Sequence, residues 1–156
     1  MNKLKYYFII IIVLLIVIIS IIIIKNKTYS KNNFKENIIN NHKKVADVMS
    51  IKIDNKDYII NLENNETVSD LLNILPLNLT MNELNNNEKY VYLDIELKSN
   101  PQNPKHINKG DVMLYGNNCL VIFYKSFDTN YNYTKIGHIK DLEDLGTSSI
   151  EIEIKI

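Results

Sequence analysis

The sequence contains no arginine, no tryptophan and a single cysteine, Cys119. One cysteine excludes an intrachain disulfide, and its place inside an apolar run predicts that it packs as a small hydrophobic residue. The histidines, His42, His106 and His138, are too far apart for a local metal site, and no cysteine pair or acidic cluster has ligand spacing. No serine or histidine stands in a nucleophile-elbow context. The sequence therefore predicts no metal, no cofactor and no catalytic residue.

Charge is unevenly distributed along the chain, although the formal net charge is zero. Residues 1–45 contain eight lysines and one acid, Glu36, which gives a net charge of +7 and leaves −7 on the remaining residues. An acidic domain is a poor match for nucleic acid, which needs a basic surface to displace counterions. A basic flank beside an apolar run instead suits an anionic membrane surface.

Residues 8–24 form a run of 17 uncharged and almost wholly apolar positions. As a helix this run is roughly 26 Å long, and flanking tyrosines and lysines can extend it to a hydrocarbon core of ~30 Å. We expect a short basic N-terminus over residues 1–5, an uncleaved signal-anchor over 6–25 and a flexible tether over 26–45. A cleaved signal peptide is the alternative. The short basic N-terminus favours a single-pass protein of the cell membrane whose C-terminal domain lies outside the cytoplasm.

Residues 46–156 show the alternating apolar pattern of short strands. One helix is predicted after Asn64–Thr67, because Val68, Leu71, Leu72 and Leu75 follow at helical spacing and Pro76 stops it. A further helical turn is predicted over 141–145, and loops over 96–108 and 126–132. Strands are predicted over 49–53, 58–62, 77–81, 90–93, 112–115, 119–124, 133–139 and 150–156, with Ile156 facing inward.

The strand over 119–124 is apolar on both faces. Cys119, Val121 and Phe123 alternate with Leu120, Ile122 and Tyr124. A strand of this kind belongs in a sheet centre or in a barrel wall that is covered from outside. Eight short strands with one or two short helices predict a mainly β fold, a small closed barrel.

Six short segments of the domain carry a resemblance to a known family: Leu75-Pro76-Leu77, Met81 with Glu83, Gly110-Asp111, Leu114-Tyr115-Gly116, Phe123-Tyr124 and Ile136-Gly137. Over roughly residues 48–156 they resemble the small bacterial cyclophilin-like domain family. The resemblance implies a compact cyclophilin-related β-barrel. True cyclophilins catalyse prolyl isomerisation with an arginine donor, and this chain has Lys135 where the family usually has arginine. Lysine lacks the planar guanidinium fork.

Aromatic side chains and two charged ones form the candidate ligand surface, since aromatic walls with a few polar tips are typical of binding sites. Lys135 could pair with Glu83 or offer a cation to a ligand if it shares a face with Tyr133. The alternatives are that the aromatics pack the barrel, that the tyrosines reflect A- and T-rich codons, and that the two charges are solvated. The candidate residues are Glu83, Tyr115, Phe123, Tyr124, Phe127, Tyr133 and Lys135.

The leading functional hypothesis is a membrane-anchored, extracytoplasmic cyclophilin-like domain that binds a small molecule or an extended peptide without catalysis. Its expected partners are the membrane, through the N-terminal helix, and that unidentified ligand; no nucleic acid is expected. The first alternative is a divergent peptidyl-prolyl isomerase acting on exported proteins. The second is a structural or interaction subunit of a membrane complex.

Overall fold

A computed structural model of the protein describes Lys25 and residues 47–156. The predicted N-terminus, anchor and tether over residues 1–45 lie outside the described residues, apart from Lys25. In the part that is described, no helix is both long enough and apolar enough to cross a membrane. Ala46–Ile156 forms one compact unit.

Residues 47–156 contain ten strands and one helix. The helix is α1 (Glu66–Leu72). The strands are β1 (Val48–Ile53), β2 (Lys56–Leu62), β3 (Leu77–Leu84), β4 (Glu88–Tyr92), β5 (His106–Ile107), β6 (Asp111–Tyr115), β7 (Cys119–Phe123), β8 (Phe127–Asp128), β9 (Thr134–Ile139) and β10 (Ile150–Lys155).

Eight of the strands close into an antiparallel barrel in the order β1-β10-β3-β4-β7-β6-β9-β2. Closure pairs every barrel strand on both sides, so that no edge strand is left with unpaired backbone groups. The two remaining strands, β5 and β8, pair with each other as a short ribbon. The predicted closed β-barrel is confirmed.

The barrel wall carries an apolar cluster on each of its faces. Leu120 and Ile122 of β7 join the larger cluster inside the barrel, together with inward-facing residues of the other strands. Cys119, Val121 and Phe123 point the other way and form a smaller cluster with Ile107, Met113 and Tyr133. The prediction that β7 is buried on both faces is confirmed, and the outer cluster supports the surface where the candidate site lies.

Helix α1 begins where the sequence predicts and ends earlier. Asn65 is its N-cap, and the Asn65 side chain accepts a hydrogen bond from the Val68 backbone N–H at 2.9 Å. The spacing of apolar residues predicts helix up to Leu75, but α1 stops at Leu72. The residue before a proline is disfavoured in the helical region, so Pro76 acts on Leu75 as well as on itself.

Three further local predictions need correction. The predicted loops over 96–108 and 126–132 each contain one strand of the β5–β8 ribbon, which is too short to show a period. The predicted turn over 141–145 is absent, because Asp141 adopts a left-handed conformation with φ of 55° that interrupts any helix. Ile156 is 70% exposed because β10 ends one residue before it.

Candidate functional site

A cavity of about 290 Å³ opens on the outer face of the barrel, beside the smaller apolar cluster. Five tyrosines line it, drawn from β4, from β6 and from the segment that leads into β9. They are Tyr90, Tyr92, Tyr115, Tyr131 and Tyr133, and we call this cavity the tyrosine pocket. The other lining residues are Leu84, Asn85, Glu88, Cys119 and Val121.

Strand alternation places the β4 residues of the tyrosine pocket on one face. Glu88, Tyr90 and Tyr92 are two residues apart, so they share the outer face of β4 while the residues between them face the barrel interior. Their partners on β7 are Phe123, Val121 and Cys119, in that order. All three face outward and belong to the smaller apolar cluster. The pocket therefore rests on a rigid, fully paired part of the sheet.

The tyrosine rings meet at steep angles. The Tyr115 and Tyr131 centroids are 6.2 Å apart with an interplanar angle of 88°, and those of Tyr90 and Tyr92 are 6.0 Å apart at 82°. Tyr133 lies 5.6 Å from Tyr115 with a tilt of 53°. These edge-to-face arrangements are favourable for aromatic pairs. The rings that line the cavity therefore lie in several different planes.

Glu88 is the charged side chain of this pocket. It is 8% exposed, and within residues 47–156 its carboxyl group has neither a hydrogen-bond partner nor an ion-pair partner. Burial, with a smaller contribution from the negative charge of Glu83, raises the pKa of Glu88 to about 7. Near neutral pH the Glu88 carboxyl group is therefore present both as the neutral acid, which can donate a hydrogen bond, and as the carboxylate anion.

Two other titratable groups of the pocket stay neutral in that range. Burial, and next the charge of Glu88, raises the pKa of Tyr133 to about 12. Burial also raises the pKa of the Cys119 thiol, and Glu88 adds to that rise. Tyr133 therefore offers a phenolic O–H, and Cys119 behaves as an apolar wall residue rather than as a nucleophile.

The structure brings Tyr115 and Tyr133 of the predicted site together in this pocket. Phe123 is fully buried beneath it, with its ring 5.4 Å from that of Tyr133. Phe127 packs against Phe123 at 5.6 Å and lines an adjoining cavity that also contains Glu88. For Phe123, the alternative of barrel packing is the one the structure shows.

Two other predicted residues, Glu83 and Tyr124, lie at one end of the barrel. Tyr124 belongs to the inner core, and its hydroxyl donates to Glu83 Oε1 at 3.3 Å. The Nζ atoms of Lys89 and Lys125 lie 5.1 Å and 5.5 Å from the Tyr124 ring centroid. The expectation that Tyr124 belongs to an open ligand surface is corrected: its ring fills the barrel.

Lys135 lines a separate, more polar groove of about 520 Å³, which Tyr133 also borders. Its ammonium pairs with Asp111 at 3.3 Å, so the expected pairing with Glu83 is not formed. Asp111 also contacts His138 Nδ1 at 3.1 Å. Strict alternation would put His138 on the same face as the inward-facing Ile136. A β-bulge in β9 leaves Ile136 without a partner on β6 and turns His138 outward.

The sequence interpretation missed Glu88, Tyr90, Tyr92 and Cys119 as pocket residues. The signal that could have found three of them is the Glu-x-Tyr-x-Tyr alternation of β4, which places a carboxyl and two phenols on one face.

Across residues 47–156, no group of three or more His, Cys, Asp or Glu side chains is placed to hold a metal ion.

Comparison with known proteins gives one family. The family described as the cyclophilin-like family matches residues 51–156, about two thirds of the chain. No curated protein and no solved structure matches it significantly. The match begins inside β1 and includes the other seven strands of the closed barrel. The chain belongs to the cyclophilin-like family.

Proposed function

We propose that this protein is a membrane-anchored, extracytoplasmic binding protein whose barrel takes up a small molecule or an extended peptide segment without catalysing a reaction. The observation that carries the binding role is the tyrosine pocket, a concave aromatic site with the buried and unpaired carboxyl of Glu88 in its wall. Aromatic cavities with a few convergent polar groups are the usual form of ligand sites.

The anchoring part of the proposal is supported by the sequence alone. The uncharged run over residues 8–24 is followed by a polar, lysine- and asparagine-rich segment before the barrel begins. A short tether of this composition would keep the barrel close to the membrane surface. The anchor would therefore confine binding to ligands that reach that surface.

A thermal-shift screen of the full chain in a maltoside detergent tests the binding role. With metabolites and proline-containing peptides as candidates, at least one ligand should raise the melting temperature by several degrees, because it binds only the folded state. Tyr115→Ala should abolish the shift, whereas Tyr115→Phe, which keeps the ring, should retain it. A shift that survives Tyr115→Ala would remove the tyrosine pocket from the proposal.

A divergent prolyl isomerase is the competing function for this family member. The chain has no arginine, and the ammonium of Lys135 is already paired with Asp111. We therefore expect protease-coupled isomerisation of an X-Pro peptide to proceed at the rate of buffer alone. Turnover above that rate, lost in Lys135→Ala, would favour the isomerase.

A structural subunit of a membrane complex is the other alternative to a ligand-binding protein. It would be favoured if crosslinking in membranes recovered a protein partner and the thermal-shift screen found no ligand.

Location is tested separately from binding. The full chain should stay in the membrane pellet after alkaline carbonate extraction, and a variant beginning at residue 26 should be released. External protease added to intact cells should digest the barrel. Protection of the barrel in intact cells, with digestion after lysis, would reverse the proposed topology.

A further inference from the structure

We infer that the tyrosine pocket binds a small organic cation, an ammonium group with apolar substituents, and that Glu88 is its counter-charge. This inference rests on the proposed binding function and names the ligand class of that site. It follows from the burial of one carboxylate, the arrangement of the aromatic walls and the charge of the lining residues.

The first observation is the isolation of Glu88. A carboxylate transferred from water into a largely apolar wall is strongly disfavoured unless an ion or hydrogen-bond donors compensate it. Within residues 47–156 Glu88 is nine-tenths buried and has no such partner, and its carboxyl oxygens keep only limited contact with solvent at the border of the tyrosine pocket. A cation in the pocket would supply the missing compensation.

The second observation is the set of five tyrosine rings, in several different planes, that line the same cavity. The faces of aromatic rings carry negative potential, so a cation with apolar substituents is attracted to walls made of several rings. Tyr115 stands nearly at right angles to Tyr131, and Tyr90 stands nearly so to Tyr92. Right-angled pairs can contact one ammonium group from more than one side.

The third observation is charge selection. Every residue that lines the pocket belongs to the described part of the chain, and none of them is basic. An anionic ligand would meet the Glu88 carboxylate without any opposing cation. A neutral ligand could accept a hydrogen bond from the protonated form of Glu88, but only a cation compensates the ionised form. A volume of about 290 Å³ is at the lower end for ligand cavities, which favours a small molecule over a protein partner.

Binding should depend on pH through Glu88. The groups around it are Glu83 on β3, Cys119 on β7, and the phenols of the pocket on β4, β6 and the segment before β9. The pKa of Glu88 is about 7, and that of Tyr133 is about 12. A bound cation stabilises the carboxylate, so affinity should rise up to about pH 7 and then level off.

The experiment compares two ligands of the same shape, choline and its neutral analogue 3,3-dimethylbutan-1-ol, on the full chain in a maltoside detergent, which carries no cation. The readout is calorimetry together with tyrosine fluorescence, which is clean because the chain has 10 tyrosines and no tryptophan. We expect choline to bind about tenfold more tightly or better. At pH 6.5 binding should release at most roughly three quarters of a proton, because that fraction of Glu88 is protonated when its pKa is about 7, and the release is seen as a dependence of the binding enthalpy on the buffer.

Glu88→Gln should remove both the preference for choline and the proton release, while Glu96→Gln, an exposed carboxylate outside the pocket, should change neither. Equal binding of both ligands, unaffected by Glu88→Gln and weakened by Tyr115→Ala, would overturn the cation inference and leave the binding function standing. Binding of neither ligand would also overturn it. The binding function itself would fall only if the thermal-shift screen found no ligand at all.

A choline group could come from a free molecule or from a lipid headgroup, and a second arm separates these sources. The chain is placed in phosphatidylglycerol nanodiscs with or without phosphatidylcholine. Unchanged affinity for free choline supports a soluble ligand. Affinity that drops in the presence of phosphatidylcholine supports the same site with lipid as its source. Choline binding that is absent in both nanodiscs would overturn the inference.

Discussion

Asp111 and Lys135 form an ion pair between neighbouring strands, with 3.3 Å separating Oδ1 from Nζ. The aspartate is 2% exposed, and its other oxygen accepts a hydrogen bond from the Asn108 backbone N–H at 2.9 Å. The lysine is exposed on the groove side. Because the two partners differ so much in burial, the pair should not respond symmetrically to mutation.

Asp111→Ala should destabilise the barrel by about 2–4 kcal/mol, because it removes the buried centre of a network that includes the Asn108 N–H and His138. Lys135→Ala should cost less than about 1 kcal/mol, as expected for one exposed partner of an ion pair. Urea unfolding of the two variants beside the wild type measures this difference. Equal losses in both would mean that the network is not centred on Asp111.

The bulge that creates this network also shows a limit of reading strands from sequence. Alternation correctly places the inward-facing residues of β1 and β10 and identifies both faces of β7. The alternation rule fails after Ile136, because this residue has no partner on β6 and the residues of β9 that follow it, including His138, face the opposite side from the one expected. Gly137 is the one hint in the sequence, since an isolated glycine inside a strand often marks a bulge, but it does not show that β9 shifts against β6.

Lys89 is a second buried charge, located inside the barrel end rather than at its surface. It is fully buried, and its Nζ donates to the carbonyl oxygens of Gly146 and Ser148, both at 2.7 Å. Burial lowers the pKa of Lys89. The ammonium ties the chain that follows Leu145 to the barrel end, and this is a structural role.

Lys89→Met should therefore destabilise the protein by about 1–3 kcal/mol, because the buried ammonium that donates to both the Gly146 and the Ser148 carbonyl is lost. Lys125→Met is the matched control: Lys125 lies beside the same Tyr124 ring but is not buried, so we expect a change within about 0.5 kcal/mol. Urea unfolding gives both values. A small effect of Lys89→Met would show that water replaces the ammonium at this end of the barrel.

Gly137 lies where β9 meets β2, and a Cβ there would collide with the Asn61 backbone oxygen and with the Ile60 side chain. Backbone cannot move aside without breaking the ladder, so Gly137→Ala should cost more than about 2 kcal/mol or prevent folding. Gly116 has a positive φ of 64° and open space around it. Gly116→Ala should cost only about 1 kcal/mol of backbone strain. Comparable melting temperatures for the two variants would contradict this distinction.

The candidate site was only partly accessible to sequence reasoning. The aromatic residues in and around β6 and β9 identify Tyr115 and Tyr133 as site residues. The two strands are neighbours in the barrel, so outward-facing side chains on them lie close together. The sequence did not identify Glu88 as a site residue, because a single acidic residue among asparagines and lysines forms no distinctive pattern. Its importance comes from burial, and burial depends on residues that are distant in the sequence, such as its β7 neighbour Phe123.

Glu88 should make stability depend on pH in a defined direction. Burial, with a smaller effect of Glu83, raises its pKa from 4.5 to about 7, so below about pH 4.5 the proton is bound in both the folded and unfolded states. As pH rises towards 7 the unfolded state gives up its proton first, and stability falls by on the order of 2 kcal/mol. Above about pH 7 the loss of stability no longer changes with pH.

Glu88→Gln should lack this loss. Its free energy of unfolding, measured with urea, should therefore exceed that of the wild type by an amount that grows from pH 4.5 to 7. Glu96→Gln, the control, should show no such trend. A pH-independent difference between Glu88→Gln and the wild type would mean that the carboxylate is solvated in the folded protein.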